Sequence, residues 1–165
     1  MNEPITFRPI GVVRTPFTSI AGMPVQSALG AAVGVAGSIE LDPDLAEGLA
    51  DLDGFSHVTL LYHLDRVGPT RLTVVPFLDD RPHGLFATRS PARPNPIGMS
   101  TVRLTAIEGA TLRIEDVDML DGTPLLDIKP YVPALDDRRD VRTGWYPVDL
   151  ASSEARSDQR FGPER

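Results

Sequence analysis

Two segments of the chain concentrate side chains that could bind or act on a ligand. The first, residues 84–100, reads GLFATRSPARPNPIGMS and contains three prolines within six residues. Each proline stiffens the loop and restricts the residue before it, so Arg93 and Asn95 are expected to be extended. Together with Arg89 they offer two guanidiniums and an amide, groups that suit carboxylates, phosphates and base edges. This predicts a binding loop; the alternative is a rigid surface connection with incidental arginines.

The second segment, residues 118–131, reads DMLDGTPLLDIKPY. The Asp-Gly pair at 121–122 predicts a tight turn, whose exposed backbone amides and carbonyls could recognise the edge of a ligand. In the strand that follows, the two-residue period places Leu125, Asp127 and Lys129 on one face. A carboxylate oriented by a neighbouring ammonium could act as a base, but the same pair could be a surface ion pair that contributes little.

Other common types of site find no support in the composition. The chain has no cysteine, which excludes disulfides, thiolate zinc sites and a cysteine nucleophile. His57 and His63 would lie about 20 Å apart on one extended strand and could not share an ion, and His83 stands alone, so we expect no metal. The Gly-rich stretch at 30–37 has the wrong spacing for a dinucleotide fingerprint and precedes a strand. Any nucleotide ligand must therefore be bound by loops.

Charge is unevenly distributed along the chain. The formal net charge is −7, yet residues 66–103 hold six arginines against two aspartates, a local charge of +4. Such a basic segment is compatible with a nucleic-acid partner, and the alternative is a set of solvated surface arginines. We call residues 66–103 the basic segment.

The elements that must position these segments are mainly strands, because prolines and glycines spread through the chain leave little room for helices. Strand patterns occur at 35–41, 55–64, 71–75 and 101–106. One short helix is predicted at about 42–53, with Asp42 as its N-cap. Apolar residues change from even to odd positions near Glu115, which predicts a β-bulge there.

The chain is predicted to form one domain, residues 1–150, followed by a polar and flexible tail, residues 151–165. The tail segment has no hydrophobic periodicity. No stretch approaches the roughly 20 apolar residues of a membrane span, and the start lacks a signal pattern, so a cytoplasmic location without membrane contact is expected.

The two segments resemble the signature stretches of the TsaA-like (TrmO) family, namely residues 86–98 and 121–131. Further similarity lies at 10–16, 24–26 and 54–57, so the resemblance covers roughly residues 5–145. It implies a β barrel, a homodimer, and S-adenosyl-L-methionine (SAM) as cofactor. It also implies N6-methylation of threonylcarbamoyladenosine beside the anticodon of a tRNA.

The resemblance also assigns roles to residues. The implied cofactor contacts are Pro24, Val25, Gln26, Leu64, Asp65, Arg89, Leu120, Asp121, Gly122, Thr123 and Pro124. The substrate candidates are Arg93, Asn95 and Arg103, and the catalytic candidates are Asp127, Lys129 and Tyr131. The chain departs from the family at Asp65, where members often carry histidine.

Two other functions stay open at this stage. One is a non-catalytic barrel that binds SAM or RNA, which would keep the ligand loops but would need no base. The other is a methyltransferase for a small molecule, which would not require a broad basic surface.

Overall fold

Six strands close into one barrel, so the mainly β architecture expected from the sequence is confirmed. The computed structural model describes residues 3–147, 149–150 and 153–163. The strands are β1 Gly11–Arg14, β2 Ala36–Leu41, β3 His57–His63, β4 Thr73–Val74, β5 His83–Gly84, β6 Ile97–Glu108, β7 Thr111–Glu115 and β8 Thr123–Pro130. The barrel order is β1-β2-β7-β6-β3-β8 with antiparallel neighbours, while β4 and β5 form a separate two-stranded sheet.

The interior of the barrel is filled by the inward positions of its strands. On β3 and β6 buried residues alternate with more exposed ones, as the pleat of a strand requires. The fully or nearly fully buried core residues include Val13, Ile39, Val58, Leu60, Val102, Leu112, Ile114, Val117, Met119 and Leu125. This packing makes the barrel a rigid frame for the loops at its ends.

The predicted helix at 42–53 begins where expected but is not a single α-helix. The Asp42 side chain accepts a hydrogen bond from the backbone of Asp44 at 3.2 Å, as an N-cap does. The chain then forms two 3₁₀ segments, Pro43–Leu49 and Leu52–Gly54, separated by Asp51 at a φ of 65°. Leu45 and Leu49, four residues apart, would share one face of an α-helix, but here Leu49 is buried whereas Leu45 stays 42% exposed. The short α1, Pro133–Asp136, was not predicted.

The change of parity near Glu115 occurs without the predicted β-bulge at that point. Strand β7 ends at Glu115, and Asp116 adopts a φ of 66°. This left-handed residue turns the chain, so that Ile114 and Val117 both face the core. The bulge of this hairpin lies on the other arm, where the register shifts between Leu104 and Ala106.

A second irregularity corrects the predicted faces of β8. Leu61 pairs with Asp127 and the next residue of β3, Tyr62, pairs with Leu125, so one residue of β8 is left over. This bulge changes the inward parity of the strand. Leu125 is fully buried in the core, and Asp127 keeps the outward face with Lys129.

The prediction of a loose tail is wrong for residues 153–163, which pack against the 20–24 segment and against a small apolar cluster around β4. The Ser157 amide donates to the Met23 carbonyl at 2.8 Å. Phe161 is only 4% exposed, and its ring meets that of Phe77 edge to face at 5.2 Å. Phe161 anchors this segment by burying its ring, which the mostly polar composition of the segment did not indicate. Residues 151–152 and 164–165 lie outside the described residues. Within the described ranges no helix has the length and apolarity to cross a membrane.

Candidate active site

A cavity of about 370 Å³ opens at one end of the barrel, a size typical of small-molecule sites. It lies where the proline-rich loop, the 24–26 segment and the turn before β8 meet. Most of the predicted cofactor contacts line it, namely Pro24, Val25, Gln26, Leu64, Asp65, Arg89, Leu120 and Thr123. Three of the predicted contacts, Asp121, Gly122 and Pro124, do not.

The proline-rich loop is held in shape by its own hydrogen bonds. The Thr88 hydroxyl donates to the Leu85 carbonyl at 2.8 Å and accepts from the Ser90 amide at 3.2 Å. Arg93 donates to the Thr88 carbonyl at 3.1 Å, and its guanidinium lies 5.6 Å from the centre of the exposed Phe86 ring. The loop is therefore pre-formed, which lowers the entropic cost of binding.

Arg89 is directed from this loop to the other side of the cavity. Its guanidinium donates to the side-chain oxygen of Gln26 at 2.7 Å. The guanidinium has further donors that can bind a carboxylate or phosphate. Nearby, the Ser90 hydroxyl is buried and has no hydrogen-bond partner among the described residues. Both side chains line the cavity and offer polar groups to a ligand.

The backbone amides of the 121–122 turn are not available to a ligand, contrary to the prediction. The Asp121 amide donates to the Phe17 carbonyl at 2.7 Å, and the Gly122 amide donates to the Val13 carbonyl at 2.8 Å. Arg66 donates a hydrogen bond to the Asp121 carbonyl at 2.9 Å. The turn is thus fixed to the barrel, and Gly122 is needed there because its φ is 79°.

Three buried side chains, Tyr62, Ser100 and Asp118, form a hydrogen-bonded series that was not predicted from the sequence, and its two ends, Tyr62 and Asp118, line the cavity. The Ser100 hydroxyl donates to the Asp118 carboxylate at 2.7 Å, so the Tyr62 hydroxyl, 2.9 Å from Ser100, must donate to Ser100. The Tyr62 ring packs on Gly98, where a Cβ would lie 2.1 Å from a ring carbon. Gly98 therefore makes room for Tyr62. The signal in the sequence was the inward parity of Tyr62 and Ser100.

Burial is the main cause of the pKa shifts of Asp118 and Tyr62. Desolvation raises the pKa of Asp118 to about 6, despite the hydrogen bonds from Ser100 and the Ser27 amide and the charge of Arg89. Desolvation, helped by the charge of Asp118, also raises the pKa of Tyr62. Tyr62 is accordingly a neutral hydrogen-bond donor at physiological pH, while Asp118 titrates close to that range.

Aromatic residues at the cavity were also missed. The Trp145 indole donates to the Ala87 carbonyl at 2.8 Å and lies between two stacked rings, His83 at 4.4 Å and Tyr146 at 4.1 Å. Trp145 and Tyr146 line the cavity. The single tryptophan of the chain was the only signal for them in the sequence.

The predicted catalytic residues form the expected pair but lie outside the cavity. Lys129 Nζ and Asp127 Oδ2 are 2.8 Å apart, with both side chains substantially exposed on the outer face of β8. The Tyr131 hydroxyl donates to Asp137 at 2.6 Å, and this hydrogen bond raises the pKa of Tyr131. None of Asp127, Lys129 and Tyr131 lines the cavity. The position of Asp127 outside the cavity does not support its role as a base. That role stays a prediction.

The predicted substrate residues divide in the same way. Arg93 lines the cavity, whereas Asn95 and Arg103 do not. Arg103 lies on β6 with its Nε 4.0 Å from Glu115. Of the six arginines in the basic segment, Arg66, Arg89 and Arg93 line the cavity. In the described part of the chain, no group of three or more acidic or histidine side chains could hold a metal ion.

Comparisons with known proteins agree with this arrangement. Residues 12–137 match the family model of the tRNA-methyltransferase O N-terminal domain. A probable S-adenosyl-L-methionine-binding protein of Pyrococcus abyssi is 50% identical over 158 residues, 95% of this chain and 85% of that protein. The tRNA (adenine(37)-N6)-methyltransferase of Mus musculus is 34% identical over 140 residues, 81% of this chain and 32% of the mouse protein.

A solved structure shares the fold as well as the sequence. A crystal structure of TrmO matches with a TM-score of 0.73 and 40% sequence identity, covering 88% of this chain and 65% of the TrmO chain. The present chain thus spans less than two thirds of that protein.

Proposed function

The chain belongs to the family of the tRNA-methyltransferase O N-terminal domain, and from this membership we propose that it is a SAM-dependent methyltransferase that acts on an adenine of tRNA. We further propose that the substrate is threonylcarbamoyladenosine beside the anticodon and that the methyl group is added at N6. One observation carries the proposal: the two segments that resemble the family's signatures meet at one cavity, which is lined by Arg89 and Gln26.

The residues of the cavity fit the cofactor. SAM is a zwitterion with an additional sulfonium charge, joined to an adenine and a ribose. Arg89 offers a cation for its carboxylate, Asp118 offers an anion, and the unpartnered Ser90 hydroxyl offers a polar contact. Pro24, Leu64 and other apolar side chains could cover the adenine. When bound, SAM would supply an activated methyl group.

The chain's own residues would mainly bind and orient the reactants. Holding the methyl donor and the adenine N6 in line can supply much of the acceleration of a methyl transfer. The N6 proton must leave, and the proposed acceptor is Asp127, supported by Lys129 and Tyr131. Arg93, Asn95 and Arg103 are proposed substrate contacts, of which Arg93 has the strongest support because it lines the cavity.

The remaining cofactor assignments and the partners are also proposals. Asp121, Gly122 and Pro124 would act indirectly, because their turn positions the lining residues Leu120 and Thr123. We propose a cytoplasmic homodimer. The dimer is supported by two exposed apolar side chains on β6, Ile97 at 43% and Met99 at 48%, which also line the cavity.

A second candidate function is a SAM-binding barrel without transferase activity. It is favoured by one observation, the position of the Asp127–Lys129 pair outside the cavity. The two candidates share the cofactor and differ only in turnover.

Cofactor binding is the first test of both candidates. A ligand that binds only the folded state at 100 times its Kd stabilises that state by about 2.7 kcal/mol. SAM and S-adenosylhomocysteine should therefore raise the Tm of the purified chain and give a calorimetric binding signal. No shift and no heat at saturating concentrations would overturn the proposed function.

A further inference from the structure

One acidic side chain at the cavity has no cationic partner. Asp118 is 5% exposed and accepts hydrogen bonds from the Ser100 hydroxyl and the Ser27 amide. None of the ion pairs among the described residues includes it. A buried carboxylate without a counter-charge is costly, and such groups usually pair, bind a cation or become protonated.

The other charged groups at the cavity do not offset this carboxylate directly. Arg89 acts on Asp118 through space, but its guanidinium is hydrogen-bonded to Gln26. Arg66 Nε lies 3.2 Å from Asp65 Oδ1, and the same guanidinium donates to the Asp121 carbonyl. Arg93 is turned to the carbonyls of its own loop.

The hydrogen bonds that Asp118 accepts within the chain come from neutral groups. Tyr62 donates to Ser100, Ser100 donates to Asp118, and desolvation keeps Tyr62 protonated. These donors orient the carboxylate without neutralising it. Since a carboxylate has about four lone-pair sites, it retains capacity for a further donor.

We propose that Asp118 is the counter-charge for a positive centre of the bound cofactor. The inference rests on the proposed function, because SAM carries two such centres, its sulfonium and its α-ammonium. Asp118 accepts from the Ser27 amide, and Ser27 directly follows the lining residue Gln26. The same carboxylate would thus hold the cofactor loop and complement the charge of the cofactor.

Binding of a cation beside Asp118 should release the proton of this side chain. Free Asp118 has a pKa of about 6, raised by burial, so about half of the molecules carry its proton at pH 6. A cation bound beside the carboxylate favours its ionised form, and the proton is released. Affinity for the cation should fall as the pH decreases below 6, by up to about tenfold per unit while the bound form stays ionised.

Proton release can be measured by titration calorimetry of SAM in two buffers with different ionisation enthalpies. For the intact chain we expect about half a proton released per SAM at pH 6 and about a tenth at pH 7. Asp118→Asn should release none and bind SAM roughly tenfold or more weakly at pH 7. The matched control, Asp140→Asn, changes an exposed aspartate at a φ of 55° that asparagine tolerates, and should behave like the parent.

A second variant keeps the test valid if Asp118→Asn folds poorly. Ser100→Ala removes a hydrogen bond that stabilises the ionised carboxylate, so the pKa of Asp118 should rise further. Proton release at pH 6 should then increase above that of the parent. A merely structural role for Ser100 would not move this number.

Two analogues identify the charge. S-Adenosylhomocysteine keeps the ammonium and lacks the sulfonium, so equal proton release assigns the ammonium and lost release assigns the sulfonium. Uncharged methylthioadenosine should release no proton, and release with it would contradict the assignment. SAM binding without proton release at pH 6 would overturn this inference alone. Absence of SAM binding at any pH would overturn the proposed function with it.

Discussion

The Arg89 guanidinium and the Gln26 side-chain oxygen are joined by a hydrogen bond of 2.7 Å across 63 residues of sequence. The bond connects the proline-rich loop to the 24–26 segment at the rim of the cavity. Both residues were predicted as cofactor contacts from separate parts of the sequence. Because the two residues are in direct contact, the proline-rich loop and the 24–26 segment form one site.

Arg89→Ala should weaken SAM binding with little loss of stability. The side chain is exposed and contributes little to the core, but its charge serves the cofactor carboxylate in the proposed site. Calorimetric Kd values and Tm should be compared with those of Arg113→Ala. Arg113 pairs with Glu108 on the surface and does not line the cavity. Equal affinities for SAM in the two variants would exclude Arg89 as a contact.

Gly98→Ala should destabilise the chain by roughly 1–3 kcal/mol, because a methyl group there overlaps the Tyr62 ring. Its cost should be measured by denaturant unfolding, alone and combined with Tyr62→Ala. With the ring removed, the same methyl group should cost much less. An equal cost in both backgrounds would show that Gly98 is needed for another reason.

Phe161→Ala should lower the free energy of unfolding by roughly 3 kcal/mol and weaken SAM binding, because Phe161 fills a buried cluster and also lines the cavity. Phe7→Ala is the control, since Phe7 is 63% exposed and should change stability by less than about 0.5 kcal/mol. If both variants unfold alike, the 153–163 segment does not contribute to the fold in solution.

Asp127→Asn tests the predicted proton acceptor. If Asp127 takes the N6 proton, turnover on tRNA that contains threonylcarbamoyladenosine should fall by roughly 10²-fold or more while SAM affinity stays the same. The conservative control is again Asp140→Asn. Unchanged turnover would reduce the Asp127–Lys129 pair to a structural role, and the transfer would then depend on positioning.

Local sequence patterns predicted the structure correctly where it depends on neighbouring residues alone. The N-cap signal at Asp42 identified the start of a helical segment, and alternation on β6 identified Val102 and Leu104 as inward residues. The face of Leu125 could not be obtained in this way, because it depends on how β8 aligns with β3. Register is a non-local property, and a single bulge reverses the parity of every later residue.

The same distinction applies to the site. The stiff loop around Arg89 could be predicted from its prolines alone. The role of Asp118 could not, because its partner Ser100 lies on β6 and Tyr62, which donates to Ser100, lies on β3, and only the closed barrel brings the three together. The burial of Phe161 was missed because one aromatic residue in a polar segment has no periodicity.

The most direct test of the account is the product of the reaction. The purified chain is incubated with SAM and with tRNA that contains threonylcarbamoyladenosine, and the digested nucleosides are analysed by mass spectrometry. We expect this nucleoside to gain the mass of one methyl group at N6, dependent on SAM and reduced in Arg89→Ala. A chain that binds SAM but leaves the nucleosides unchanged would contradict the transferase assignment and indicate a non-catalytic SAM-binding barrel.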